Sequence, residues 1–321
     1  MFSLFPIHRP RVGISFRAHA LDLVEIRRGW RRVPTVTRLA ARPLPAGLLT
    51  PTTATPNISD PAALTKELQA LFQNVRDRAV AIDLPIACGM LALFHFETFP
   101  IVRAEQEALL RWRLRQEEHL TIPDLKILWQ VFPAAEQGLT AVSVLLVAIR
   151  QSILDQYHRV CEEADLLPVS MGLSTIHLLS LVRSAFCNEH EDLFVAHRTA
   201  ESLVVLAVRQ GRPVGLRVKP MRRARMDLKA ELIQTLQYFA NEGAPARQAA
   251  TRTTPLYMVE EEDPAPALSE RQDQTEIWTL SEDPSWAVPV HRARWVPAPI
   301  ISTVAHPVHP PFAALAGVLA A

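Results

Sequence analysis

Val12-Gly13-Ile14-Ser15-Phe16-Arg17-Ala18-His19-Ala20-Leu21-Asp22-Leu23-Val24-Glu25-Ile26-Arg27-Arg28-Gly29 and Leu193-Phe194-Val195-Ala196-His197-Arg198-Thr199-Ala200-Glu201-Ser202-Leu203-Val204-Val205-Leu206-Ala207-Val208-Arg209-Gln210-Gly211 are two versions of one pattern. Each reads as a β-branched-rich strand, a polar turn pivoting on an Arg, a second apolar strand, and an exit through basic residues and Gly. The stretch from Arg17 to Gly29 and that from Arg198 to Gly211 differ in length by a single residue. A hairpin that recurs roughly 180 residues later, with different material between, implies two related α/β halves facing each other.

The composition leaves room for this and removes several alternatives. A chain of 321 residues accommodates two domains of ordinary size, and 49% hydrophobic with 21% charged residues is ordinary for a folded protein. A formal net charge of +1 gives no general reason to expect nucleic acid, and the run Arg222-Arg223-Ala224-Arg225 reads as a solvated loop or helix entry. Cys88, Cys161 and Cys187 are scattered and odd in number, so neither a disulfide framework nor a zinc site is indicated. They read as small buried hydrophobes in a reducing compartment. Met1-Phe2-Ser3-Leu4-Phe5-Pro6 lacks the apolar region of a signal peptide, and Leu139 to Ile149 is too short to span a bilayer, so the expected location is cytoplasmic. Glycine is scarce: 10 residues, where average usage of ~7% would give roughly 22. Phosphate-cradling loops need glycine so that the backbone can approach the ligand, and this chain is poor in that material.

Between the hairpins, Val33 to Leu39 can form a third strand, and Asp60-Pro61 is a helix start with an N-cap and Pro at the first position. That helix is expected to reach about Val75. Buried strands follow at Ala79–Pro85 and Met90–Glu97. An inserted subdomain is expected over about 98–150: an amphipathic helix from Glu105 to His119, with strands at Lys126–Phe132 and Ala141–Ile149. A helix from Ser152 to Ala164, a return towards a strand at Leu166–Val169 and an apolar helix over Ser174–Phe186 close a first half spanning 1–190. The second half, 191–321, repeats the hairpin and adds a third strand at Pro213–Val218, a helix over Met226–Ala240 and a buried strand at Leu256–Val259. Residues 264–309 are Pro-rich and hard to assign, and Phe312–Ala321 reads as a closing helix.

This order of elements resembles the actin-like ATPase superfamily, and within it the PilM-like proteins of type IV pilus assembly. The resemblance covers nearly the whole chain as scattered motifs. Val12-Gly13-Ile14 and Leu23-Val24-Glu25-Ile26 fit the family's opening strand, turn and Leu-Val-Glu-Leu frame. Phe99-Pro100, Glu105, Leu109, Trp112, Ile122-Pro123 and Trp129-Gln130-Val131 look like its inserted subdomain. Leu145-Leu146-Val147-Ala148, Ala164-Asp165-Leu166-Leu167-Pro168, Leu232 to Phe239 and Ala313–Ala320 resemble further family segments. The resemblance implies an α/β fold of duplicated actin-like (ribonuclease H-like) halves with a small inserted subdomain.

The nucleotide motifs depart from that pattern. The family's first phosphate turn carries an Asp two residues before a Gly; here those positions are Ser15 and Arg17, followed by Ala18. Asp22 stands where the family often has a Lys. The second Asp-x-Gly turn reads Ala196-His197-Arg198, and the late Gly-Gly is replaced by Glu260-Glu261. Ser15 and Ala196 are poor substitutes for metal-holding Asp residues, and Arg fills space that Gly leaves to phosphate. A carboxylate about 4 Å from a phosphate charge costs about 4 kcal/mol at an effective dielectric of about 20, enough to weaken binding roughly a thousandfold. Ser15, Arg17, Ala18, Ala196, Arg198, Glu260 and Glu261 therefore read as vestiges of a nucleotide site, and no catalysis, cofactor or metal is expected. Gained bases and gained acids at phosphate-facing positions raise a specific expectation: Arg17 or Arg198 pairs with Glu260, Glu261 or Glu262 across the cleft. The opposing reading is that the two Arg side chains themselves clamp an anion.

Other candidate chemistry is weak. His306 and His309 lack acidic companions, and Cys187 with His190 lacks an orienting Asp or Asn. Asp83 reads as the end of a strand. Leu109 and Trp112 can pack internally, whereas the resemblance implies a groove near the subdomain that takes the short cytoplasmic tail of a PilN-like bitopic inner-membrane protein. An extended apolar tail needs a hydrophobic groove with backbone pairing, and Phe99, Ile101, Leu109 and Trp112 are the candidates for it. The expected function is a non-catalytic scaffold, a pseudo-ATPase, in a type IV pilus or related secretion-type machine. It would lie at the inner membrane only through its partner, with self-association open. The alternatives are a GspL-like type II secretion module and an ATP-binding actin-like or sugar-kinase-like enzyme with altered phosphate contacts.

Overall fold

The computed structural model describes residues 10–27, 35–117, 124–133, 141–179, 192–199, 201–221, 228–241, 254–260, 276–279 and 289–292. The first hairpin forms where its alternation places it: β1 (Val12–Arg17) and β2 (Ala20–Arg27) pair antiparallel, and β3 (Thr35–Pro43) adds to β2. The described part of the third strand runs past Leu39 to Pro43, and the expected start at Val33 lies outside the described residues. Asp60 caps helix α1 (Pro61–Leu71), its side chain accepting from the Ala63 amide at 3.0 Å with Pro61 in the first turn. The helix returns the chain to β4 (Ala79–Leu84), parallel to β1, and β8 (Leu167–Leu173) lies parallel to β4. The strand order is β3-β2-β1-β4-β8.

The second half repeats this arrangement. β9 (Asp192–Arg198), β10 (Ser202–Arg209) and β11 (Arg212–Pro220) form the antiparallel part. Helix α5 (Leu228–Asn241) leads to β12 (Leu256–Glu260), parallel to β9. The order is β11-β10-β9-β12-β14-β13, so third, second, first and fourth strands stand side by side in both sheets. The β10–β11 turn has Gln210 at φ 48° and Gly211 at φ 72°, the two left-handed residues that a type I′ hairpin requires. Two short strands, β13 (Glu276–Thr279) and β14 (Pro289–Arg292), come from the Pro-rich segment, where four-residue strands carry too little period to read from sequence. The segment expected as a closing helix lies outside the described residues, as do Cys187, His190, His306 and His309.

Between the halves sits a third sheet, ordered β5-β7-β6, from β5 (Gly89–Phe96), β6 (Leu125–Pro133) and β7 (Val142–Arg150). Helix α2 (Arg103–Glu117) covers one face of it with buried Leu110 and Leu114, against Phe94, Ile127, Val144 and Leu146. The sheet begins at Gly89, upstream of the expected boundary near residue 98, because β5 pairs along its whole length with β7 and not with β4. Helix α3 (Gln151–Glu163) packs beside α1 and ends through a left-handed Asp165, φ 61°. Helix α4, described over residues 174–179, follows β8.

The first core joins one face of the first sheet to α1 and α3; at its centre Phe16 meets Tyr157 edge-on at 5.1 Å. Beneath them lies a buried polar cluster. Asn57 donates from Nδ2 to Cys88 Sγ at 3.2 Å and to Tyr157 Oη at 3.4 Å. Burial pushes the Tyr157 hydroxyl well above its usual range and both the Cys88 and Cys161 thiols up to about 12. From pH 9 to 12 the unfolded chain loses thiol protons that the native chain keeps, so stability is full below pH 9 and falls as pH rises. A Cys88→Ala, Cys161→Ala double variant should therefore show a shallower loss of urea midpoint between pH 8 and 11 than the parent. Peptide mapping should find Cys88 and Cys161 alkylated by iodoacetamide only after unfolding.

Candidate functional site

In a sheet of this kind, ligands bind beyond the carboxyl ends of the parallel strands. There, Ser15 of β1, Asp83 of β4 and Gly172 of β8 stand in register across three strands. Asp22 of β2 faces Ser15 from the other side. Ser15 and Asp83 are buried. The Ser15 hydroxyl donates to Asp83 Oδ2 at 2.8 Å, and His177 Nδ1 donates to Asp83 Oδ1 at 2.6 Å. Asp83 ties β1, β4 and α4 together through one carboxylate. Gly172 makes room for this arrangement, since a Cβ there would run into His177 Nε2. Arg17 forms an ion pair with Asp22 of its own hairpin, with Nη2 donating to Oδ1 at 2.9 Å and Nε meeting Oδ2. The Asp22 side chain has no solvent exposure and that of Arg17 only 13%.

The second half meets this cluster through His197 of β9, whose Nδ1 is hydrogen-bonded to Thr175 Oγ1 of α4 at 2.8 Å. Alternation along the strands decides which residues can share the space. On β1, Phe16 points to α3, so Ser15 and Arg17 lie on the opposite face. On β9, Phe194 stacks on Phe239 of α5 at 6.2 Å, so Ala196 and Arg198 share the α5 side and His197 lies opposite. Helices α1 and α5 occupy equivalent places in the two halves. The sequence equivalence of Ser15 with Ala196 and of Arg17 with Arg198 therefore does not survive: a one-residue offset turns every side chain to the other face. His197, not Ala196, stands on the Ser15 face. Ala18 occupies the two-residue β1–β2 turn, and the Glu260 backbone is the register neighbour of Arg198. Glu261 and Glu262 lie outside the described residues.

Chemically, the Ser15–Asp83–His177 cluster is not a nucleophile with its base. A serine is activated by donating to an imidazole nitrogen that an acid orients. Here Ser15 and His177 both donate to Asp83, and His177 Nε2 abuts Gly172. Among the described residues no group of three His, Cys, Asp or Glu side chains is placed to hold a metal ion.

His177 and Thr175 carry no signal of their own in the sequence, and Asp83 reads there only as the end of a strand. The signal available was Asp83 itself, a carboxylate inside the apolar run Ala79-Val80-Ala81-Ile82-Asp83-Leu84, which has to be satisfied by something. The residues expected to line a partner groove fall into two kinds. Ile101 is 97% exposed and Trp112 47%, whereas Leu109 is half-buried and Phe99 packs on Phe96 at 5.1 Å.

No family model matches the chain, and no curated protein matches it in sequence. A chain from a structure described as the PilM-PilN type IV pilus biogenesis complex superposes with a TM-score of 0.69 at 20% identity, over 98% of this chain and 98% of that one. The fold is actin-like. A Bacteroides thetaiotaomicron protein with an actin-like ATPase fold matches with a TM-score of 0.44 at 10% identity, over 79% of this chain and 82% of its own. The cytoplasmic domain of EpsL from the type II secretion system of Vibrio cholerae matches at 0.43 and 10% identity, over 82% of this chain and 87% of its own. Ser15, Arg17 and His197 lie on the faces of the two sheets turned away from α3 and α5.

Arg17→Ala should destabilise the fold by about 3–5 kcal/mol, because it leaves the Asp22 carboxylate buried without its cation. Adding Asp22→Leu to Arg17→Met should recover most of that loss, as read from urea unfolding. Gly172→Ala should displace His177 and lower the melting temperature, and His177→Ala in the same chain should remove most of the further penalty.

Proposed function

We propose that this chain is a non-catalytic cytoplasmic scaffold of a type IV pilus or related secretion-type machine, and that it holds the short cytoplasmic tail of a PilN-like bitopic inner-membrane protein. The observation that carries this reading is the likeness to the PilM-PilN complex along essentially the whole length of both chains. The filling of the cleft supports the absence of catalysis. A carboxylate that a nucleotide's metal could use, Asp83, is already engaged by Ser15 and His177, and an arginine side chain occupies the turn where the family has glycine. No helix among the described residues is long and apolar enough to cross a membrane, so contact with the inner membrane would come through the partner. The first half with its insertion and the second half are the two structural units of the scaffold. The surface near Phe99, Ile101, Leu109 and Trp112 is the region offered to the tail.

Two measurements on the full chain test this. Calorimetry with a synthetic peptide of the partner's cytoplasmic tail should show saturable one-to-one binding. ATP with magnesium should shift the melting temperature by less than 1 °C, roughly the response of a chain without a nucleotide site. A magnesium-dependent ATP shift of several degrees would instead favour the enzyme reading.

A further inference from the structure

The edge strands of the three sheets are not alike. β3 carries Arg38 and Arg42, and β11 carries Arg212, Arg217 and Lys219 with Pro at its second and last positions. β8 is interrupted by Pro168 and by a register shift at its pairing with Val80 and Ala81. Charges, prolines and bulges of this kind keep an edge from recruiting another strand. β6 has none of these protections in its interior except Lys126. It runs Leu125-Lys126-Ile127-Leu128-Trp129-Gln130-Val131-Phe132-Pro133 in unbroken register with β7, its sole strand partner among the described residues.

Apolar surface flanks this edge on both faces of the sheet. On the α2 face, Trp129 donates from Nε1 to Gln106 Oε1 at 3.1 Å, and Arg103 lies over its ring at 4.7 Å. Gln106 in turn donates to the Pro100 carbonyl at 2.7 Å, which holds the Pro100–Val102 loop beside the strand. That loop presents Ile101 and Val102, 97% and 55% exposed. On the other face Leu128 is 53% exposed, and beyond it Gln130 and Phe132 form a small groove of about 40 Å³ with Leu145, Ile176 and Leu206.

We propose that the free edge of β6 is a docking strand that accepts an extended, uncharged, apolar peptide segment by strand addition. Backbone groups of the segment continue the β5-β7-β6 ladder. Its alternate side chains fall on the two flanking surfaces, one set against Ile101 and Val102, the other against Leu128 and the groove behind it. Lys126 is the one cation within the strand, Arg103 is stacked on Trp129, and apolar walls on both faces select a segment that brings little charge with it. Identifying the segment as the tail of the membrane partner rests on the function proposed above; the edge itself does not.

Hydrogen–deuterium exchange on the full chain with the synthetic tail peptide tests the proposal, alongside Leu128→Lys and Ile101→Lys, both at exposed positions. Expected are slowed exchange over residues 125–133 and binding weakened about tenfold or more by each variant, with melting temperatures unchanged. Tail binding that protects another surface and ignores both variants overturns the docking edge while leaving the scaffold reading intact. If the tail does not bind, selection of roughly 12-residue random peptides on the chain decides the matter. Binders that protect 125–133 support the edge. Their absence, or a concentration-dependent dimer in light scattering that protects the same strand, overturns it.

Discussion

A carboxylate removed from water has to be held by donors, and Asp83 is held by two: the Ser15 hydroxyl from the neighbouring strand and the His177 imidazole from the helix after β8. The carboxylate and its two donors come from three different segments of the first half. The requirement to satisfy one buried charge thus fixes how β1, β4 and α4 meet, and Gly172 is small because His177 must pass over it. A second buried carboxylate, Asp22, makes the same demand on Arg17. Around the carboxyl ends of the parallel strands, where an actin-like protein would receive a nucleotide, the polar groups answer to one another.

That arrangement bears on how the two halves are joined. Thr175 and His197 connect α4 to β9 across the cleft, and Val204 of the second half belongs to the core of the first. Buried contacts between the halves are therefore supplied by the chain itself.

The inserted sheet has a different character. Its inner face contributes Phe132, Leu145 and Ile149 to the first core, and α2 covers its outer face through Leu110 and Leu114. Among the described residues its β6 edge has exposed apolar side chains close by, Leu128 on one face and Ile101 and Val102 beside the other. Arginine, lysine, proline or a bulge marks the edges β3, β8 and β11, whereas the interior of β6 carries only Lys126.

The amino-acid sequence by itself determined the duplicated hairpins, the capped helix at Asp60-Pro61, the buried strand before Pro85 and the amphipathic helix of the insertion. Each of these is written in local periodicity or turn chemistry that needs no distant partner. It also placed Ser15, Arg17, Ala196 and Arg198 where the resemblance leads one to expect Asp and Gly. Only the tertiary structure decided which groups meet, because a side chain's partner is set by which strands become neighbours: Asp83 lies 68 residues from Ser15 and 94 from His177. The same holds for facing. Strand alternation has a period of two, so matching the hairpins one residue out of step puts Ala196 and Arg198 on the α5 side, and the aromatic contacts of Phe16 and Phe194 were needed to see it. Burial of Leu110 and exposure of Trp112, two residues on one helix, follow for the same reason: the sheet beneath α2, and not the helix sequence alone, chose which stripe to cover.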